Sequence, residues 1–258
     1  MTISHLPYPG RCLRRSRLCI IPRSQQLLVG LVLVMTVGGC GIQPKKVVLS
    51  SGTEGGYYSR LGKQIDNSSQ TIVEMAAENL ETQGSRENLQ NLLTKRADFA
   101  LVQLDVAEAA MRQGQVQAVA VLGNEHVHII TRTDAPLKSF ADLQGKRVAI
   151  GAPGSGIRHT AGKLVQASGL SLQVDDSGFM VALDKLKNRQ LDAVFYVGSI
   201  GASERLRQYF ESNPILQIIP IQPSLVNYLT IRDAGSYQPA KIPAGTYDVS
   251  PAIPSRDI

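Results

Sequence analysis

The sequence predicts an α/β protein of two similar lobes, and three observations carry that expectation. Continuous apolar runs of strand length alternate with segments of helical period, the pattern of small sheets covered by helices on both faces. Two glycine-rich turns, Ser51-Gly52-Thr53-Glu54-Gly55-Gly56 and Gly151-Ala152-Pro153-Gly154-Ser155-Gly156, each follow such a strand and open a helix. They align at a constant offset of 100 residues: Gly56 with Gly156, Gly62-Lys63 with Gly162-Lys163, and Ile65 with Val165. A helix start of this kind turns unpaired N–H groups and a positive dipole end toward whatever faces it, which suits an anion. Two such starts predict two lobes around a shared cleft.

The first forty residues predict an export leader rather than part of either lobe. Arg11, Arg14, Arg15, Arg17 and Arg23 precede the apolar run Leu27 to Val37, with no acid among them. That run has the length of a signal h-region and falls short of the ~20 residues of a spanning helix. It ends in Val37-Gly38-Gly39-Cys40, which resembles a bacterial lipobox with Val in place of the usual Leu. The resemblance implies cleavage before Cys40 and lipidation of Cys40; an ordinary signal peptide or an uncleaved anchor is the alternative. Cys12 and Cys19 would then be lost, leaving no pair for a disulfide or a metal site. The leader also explains the formal charge of +6: without its five arginines the chain carries 22 bases against 21 acids. A nucleic-acid partner therefore has no support from charge.

After a polar tether at residues 41–46 come the strand Val47–Ser50, the first turn, and a helix expected to end near Asn67-Ser68-Ser69. A strand around Thr71–Ala77 follows, then a short helix with Ser85 as its N-cap and Leu89, Leu92 and Leu93 on one face. Ala97 to Gln103 reads as a buried strand and Asp105 to Gln113 as a helix stopped by Gly114. Val116–Leu122 and Val127–Thr131 read as strands buried on both faces. Residues 41–131 form lobe one. Lobe two, 132–222, opens with the single helical turn Ser139–Leu143, then the strand at Arg147–Ile150 and the second turn. Its helix from Ile157 stops at Gly169, and Gly162 within it costs roughly 1 kcal/mol relative to Ala, which predicts close packing on the sheet. A helix at Met180–Asn188, a strand at Ala193–Val197, a helix ending at Phe210 and a strand at Leu216–Ile219 complete the lobe. Arg96-Ala97-Asp98 before one strand resembles Arg189-Gln190-Leu191-Asp192 before the other, so helix, short basic link, Asp and strand recur once per lobe. Residues 223–258 are a Pro-rich return segment with a short helix at Leu225–Thr230.

Several segments together resemble the TAXI group of solute-binding proteins, which serve TRAP-type transporters. Gly52-Thr53-Glu54-Gly55-Gly56-Tyr57-Tyr58 is similar to that family's opening G-T-G-G-x-G-x-Y-Y, one residue shorter. Gly84 to Leu89 is similar to G-S-x-E-N-L, and Ala97-Asp98 through Leu101-Val102-Gln103 to A-D-x-x-L-V-Q. Asp142 to Val148 with Gly151 to Gly156 matches D-L-K-G-K-R-V-x-x-G-x-P-G-S-G, the most specific segment. Leu186 to Ala193 and Ile242 to Tyr247 complete six segments in order over about residues 47–250. The resemblance implies a periplasmic-binding-protein-like fold whose lobes, each a small mixed sheet flanked by helices, close on a small carboxylate-bearing solute. An amino acid or organic acid is the solute class, handed to membrane permease subunits.

Carried over by position, the lobe-one wall is Gly52, Thr53, Gly55, Gly56 and Tyr57 with Gln103, and the lobe-two wall is Gly154, Ser155 and Gly156. Leu104 in place of a Ser, Gly123-Asn124 in place of Tyr-Pro, and Ser199-Ile200-Gly201 imply a pocket of altered lining. Family members continue beyond the segment at Tyr247 and cross back to finish lobe one, so the C-terminal part of the fold is expected to be missing, with apolar surface exposed on that lobe.

Other chemistries find little footing. Neither turn continues into Gly-Lys-Ser/Thr, which disfavours a nucleotide P-loop, and Gly151-x-x-Gly154-x-Gly156 is not the dinucleotide fingerprint. Ser155 has no His or Asp partner placed by the sequence, so no enzyme, catalytic residue or cofactor is expected. His126 and His128 share a strand face without a carboxylate cluster and read as ordinary strand positions; no metal is expected. Arg158 reads as a solvated surface side chain, and Tyr57 and Tyr58 read equally well as core packing and as ligand stacking. The alternatives to a TRAP-type binding protein are a binding protein of an ABC-type permease, an envelope sensor or orphan, and a truncated product without function.

Overall fold

The computed structural model describes residues 2–4, 46–73, 77–201, 204–233 and 235–258; Cys40 and the apolar run before it lie outside them. The first sheet holds β1 (Thr2–Ser4), β2 (Val47–Ser50), β3 (Ala77–Leu80), β4 (Phe99–Leu101) and β5 (Gln117–Ala120), with helices α1 (Tyr57–Val73), α2 (Ser85–Leu93) and α3 (Leu104–Arg112). The second holds β6 (His126–Arg132), β7 (Arg147–Ala149), β8 (Gln173–Asp175), β9 (Ala193–Gly198) and β10 (Leu216–Ile218), with α4 (Gly156–Ser168), α5 (Phe179–Lys187), α6 (Glu204–Ser212) and α7 (Pro223–Arg232).

The sheet orders are β3-β2-β4-β1-β5 and, read in the same sense, β8-β7-β9-β6-β10. They superpose strand for strand with a shift of five. In each, the strand before the glycine-rich turn runs parallel to both neighbours, and one antiparallel strand, β1 or β6, separates the last two. The repeat in the sequence is thus a repeat of topology. β1 comes from the stretch read as a leader, and the chain passes between sheets between Ala120 and His126, ahead of the expected boundary at residue 131.

The recurring Asp has a physical role. Asp98 donates its N–H to the Val48 carbonyl at 2.9 Å while its Oδ2 accepts the Val48 N–H at 3.0 Å. Asp192 does the same to Arg147, at 2.8 and 2.9 Å. Three residues before each, Lys95 (φ 58°) and Arg189 (φ 62°) take the left-handed conformation that ends the preceding helix. Each Asp thereby clamps the strand that leads into a glycine-rich turn.

Lobe two has the larger core. Phe140 meets Phe195 edge to face at 6.1 Å, with Leu143, Leu164 and Ala161 around them. Across the sheet, Leu183, Leu186, Phe210 and Tyr247 pack together. His128 is buried there, neutral: burial pushes its pKa down to about 4, Nδ1 donates to the His126 carbonyl at 2.9 Å, and Nε2 accepts the Tyr247 hydroxyl at 2.5 Å. Lobe one relies on Leu92, Ala100, Val102, Val106, Ala107, Ala110 and Val116.

Local expectations fail at four places. The first helix continues to Val73, with Ser69 donating to the Asp66 carbonyl at 2.9 Å and Thr71 to the Asn67 carbonyl at 2.8 Å, and Asp66 Oδ1 accepts the Ala77 N–H at 3.0 Å where the next strand begins. The expected strand at Thr71–Ala77 is therefore displaced to Ala77–Leu80. β5 is an edge strand rather than one buried on both faces, and it leaves Val119 exposed, with Val121 and Leu122 exposed beyond its end. Gly84, at φ 121°, caps α2 in place of Ser85, and Gly162 faces open space; its counterpart Gly62 is the tight one, where a Cβ would overlap Asn79.

Candidate functional site

Asn88, buried on α2, organises the lobe-one side. Its amide donates to the carbonyls of Ser51 (2.6 Å) and Leu101 (2.7 Å), and its Oδ1 accepts from Ser50 Oγ (2.8 Å) and Thr82 Oγ1 (2.5 Å). All four polar capacities of the amide are engaged, so the ends of β2 and β4 are held at fixed separation. Chain then runs from Ser51 into the first turn and from Leu101 to Gln103.

A cavity of about 560 Å³ lies between the lobes. Lobe one contributes Tyr57, Tyr58 and Leu61 from the first turn of α1, and Leu101 to Asp105 where β4 passes into α3. Opposite them stand Glu125 to Val127, Thr160 and Leu164 of α4, Ile219 to Ile221, and Gly235 to Gln238 beyond α7. This last stretch is the return segment, and it spans both lobes: Tyr237 donates to Asp105 Oδ2 at 2.5 Å and Ser236 to Glu108 at 3.1 Å.

Two carboxylates line the cavity. Asp105 accepts the Thr160 hydroxyl at 2.7 Å in addition to that of Tyr237. Glu125 accepts the Tyr58 hydroxyl at 3.2 Å and a hydrogen bond from Gln103. Burial is the main cause of the rise in the Glu125 pKa to about 7; the bonds from Gln103 and Tyr58 oppose it. Burial first, then the Glu125 charge, raises the pKa of Tyr58 as well, so its hydroxyl stays a donor. Burial lowers that of neighbouring His126, whose buried Nδ1 has no hydrogen-bond partner among the described residues.

Of the residues expected to bind, Tyr57 and Gln103 line this cavity. Gly52, Thr53, Gly55 and Gly56 form the turn leading into Tyr57; Gly55 has φ 73°, and the Gly56 N–H is taken by the Thr53 carbonyl at 2.9 Å. The lobe-two turn meets lobe one directly. The Gly154 carbonyl accepts the N–H groups of Arg86 and Glu87, both at 3.1 Å, and so caps α2 from across the cleft. Ser155 caps its own helix, accepting from the Arg158 N–H at 3.2 Å and donating to the Ala152 carbonyl at 2.7 Å. Gly156 abuts the Gln103 amide so closely that a Cβ would overlap its Oε1. Arg158 pairs with Asp176.

The sequence passes over Glu125 and Tyr237, leaves Asp105 without a role, and gives Tyr58 as core packing or ligand stacking, where the structure has its hydroxyl donating to Glu125. Their signal was faint: polar residues at strand and helix ends, where α/β sheets collect ligands.

The sequence model described as the NMT1-like family matches residues 49–255. Among solved structures, an ancestral arginine-binding protein bound to arginine superposes with TM-score 0.51 at 17% identity, covering 68% of this chain and 78% of that one. A protein of Bordetella bronchiseptica RB50 gives 0.52 at 20% identity, covering 67% and 56%. At these identities the likeness is one of fold, and the fold is the two-lobed, periplasmic-binding-protein-like α/β fold expected from the sequence.

Proposed function

The chain belongs to the NMT1-like family, and on that premise we propose that it is an extracytoplasmic solute-binding protein of a transport system. The observation that carries this is the cavity of about 560 Å³ between the two lobes, on which Tyr58, Gln103, Asp105 and Glu125 converge within largely apolar walls. That is the size and make-up of a small-molecule site.

In finer terms, the protein is a TAXI-type subunit serving the permease of a TRAP-type transporter, supported by six motif segments in family order. The solute is an amino acid or organic acid whose carboxylate lies toward the first turns of α1 and α3, which open on the cavity with Tyr57 and Leu104. A helix N-terminus favours an anion by about 0.3–1 kcal/mol, and micromolar binding needs about 8 kcal/mol, so shape and lobe closure supply most of the affinity. The turns at Gly52, Thr53, Gly55 and Gly56 and at Gly154, Ser155 and Gly156 are the lobe-facing walls that part to admit solute. Anchorage through a lipidated Cys40 would hold the protein at the outer face of the membrane; palmitate labelling that is equal in wild type and Cys40→Ala would exclude it.

Thermal melting against a panel of amino acids and dicarboxylic acids tests the central reading. A solute at a hundred times its Kd stabilises by about 2.7 kcal/mol, a shift of roughly 5–11 °C for a chain of this size. No shift with any of them, from a sample that melts cooperatively, would overturn it.

A further inference from the structure

We propose that the cavity selects solutes carrying a protonated amine, received by Glu125 together with Tyr58 and Gln103, over carboxylates that lack one. The inference rests on the solute-binding reading and names the feature of the solute that this chain recognises.

Charge at the site is one-sided. Glu125 and Asp105 both line the cavity, and its described lining contains no lysine or arginine. Two cations of α4 are paired away from the cavity: Lys163 with Asp233 at 3.5 Å and Arg158 with Asp176. His126 lines the cavity, but burial disfavours its charged form. An anion entering without a positive group would therefore meet two carboxylate side chains with only the partial charge of the α1 and α3 N-termini to offset them, which is costly away from bulk water.

The two acids are not equivalent. Asp105 is already held by the hydroxyls of Thr160 and Tyr237, which bridge the lobes, so it serves closure. Glu125 is met by Tyr58 at 3.2 Å and by Gln103, while an ionised carboxylate offers about four acceptor positions. Acceptor capacity is left for a donor from the solute. A primary ammonium brings both the donors and the missing charge, and charge-assisted bonds are about twice as strong as neutral ones. The cost of keeping Glu125 ionised in the empty cavity, visible in its raised pKa, is relieved when the ammonium arrives. Around this polar corner Leu61, Val127, Leu164 and Leu229 form an apolar wall that suits an aliphatic body.

The test uses matched probes on the purified protein: leucine against 4-methylpentanoate and isoamylamine, and glutamate against glutarate, by melting and titration calorimetry at pH 7.5. The amine-bearing member of a pair should bind about ten- to a hundredfold more tightly than its desamino partner, the range of a hydrogen bond to a charged group. Glu125→Gln keeps the shape and both neighbours while removing the charge. It should erase that difference, weakening the amine-bearing probes and, by lifting the like-charge repulsion, tightening the desamino acids. Desamino acids binding as well as or better than their amino partners would overturn amine selection and leave solute binding intact. An unchanged preference in Glu125→Gln would overturn the assignment to Glu125. Silence of every probe, with the protein folded, would overturn both readings.

Discussion

Replacing Asn88 by Ala should cost about 3–4 kcal/mol of stability. Four hydrogen bonds end on this side chain, at 2.6, 2.7, 2.8 and 2.5 Å, and it is fully buried. Each contributes about 1 kcal/mol net, and the carbonyls of Ser51 and Leu101 would lose a partner in a place water does not reach. Ala is the better helix former by a few tenths of a kcal/mol, which offsets a little of the loss. For a domain stable by 5–15 kcal/mol this is a large fraction. Urea unfolding of both proteins, followed by circular dichroism, gives the difference directly. A loss below about 1.5 kcal/mol would mean that Asn88 does not hold β2 and β4 together, and the account of how the lobe-one wall is positioned would fail. Because those strand ends lead to Tyr57 and Gln103, solute affinity should fall at temperatures where the variant is still folded.

Three further outcomes can be checked. The pKa of Glu125 is raised from 4.5 to about 7, so the folded state holds its proton more tightly; that stabilisation is present below pH 4.5 and is lost as pH rises through 7. Glu125→Gln should therefore gain on wild type across that window by about 3 kcal/mol at most, less whatever screening cavity water provides, and parallel pH profiles would refute it. His128 works in the opposite direction: its pKa is lowered from 6.5 to about 4, so its contribution is present above pH 6.5 and is lost as pH falls toward 4. The decline, about 3 kcal/mol, should be absent from His128→Gln; an equal decline in both would assign it to other groups. Gly156→Ala places a methyl group against the Gln103 amide and Ser85 Oγ and should part the lobes, raising the radius of gyration in small-angle scattering; an unchanged profile would mean that Gln103 yields instead.

Much of this was legible in the chain because it is local. The stop at Gly169 needs only a residue that tolerates φ 69°, and the recurring Asp marks a clamp repeated in each lobe. Where the sequence misleads, a neighbour further along the chain decided: Asp66 of α1 takes the Ala77 N–H at 3.0 Å where β3 begins, and an edge position exposed an apolar β5. Gly62 and Gly162 occupy matching places in the repeat, yet only the first meets a partner, Asn79, and nothing in either helix announces that.

By itself the sequence determined the α/β class, the doubled strand–turn–helix unit, and Tyr57 and Gln103 as residues near the cleft. The first two follow from periodicity, glycine content and spacing, which act over a few residues; Tyr57 and Gln103 follow from the resemblance of their segments to the TAXI group. The polar heart of the cavity was decided by tertiary structure alone. Tyr58 reaches Glu125 across 67 positions and Tyr237 reaches Asp105 across 132, contacts that exist only once two separately folded sheets face each other. Closure also changed the meaning of the second glycine-rich turn, because its Gly154 carbonyl takes the N–H groups of α2 and makes it a latch between lobes.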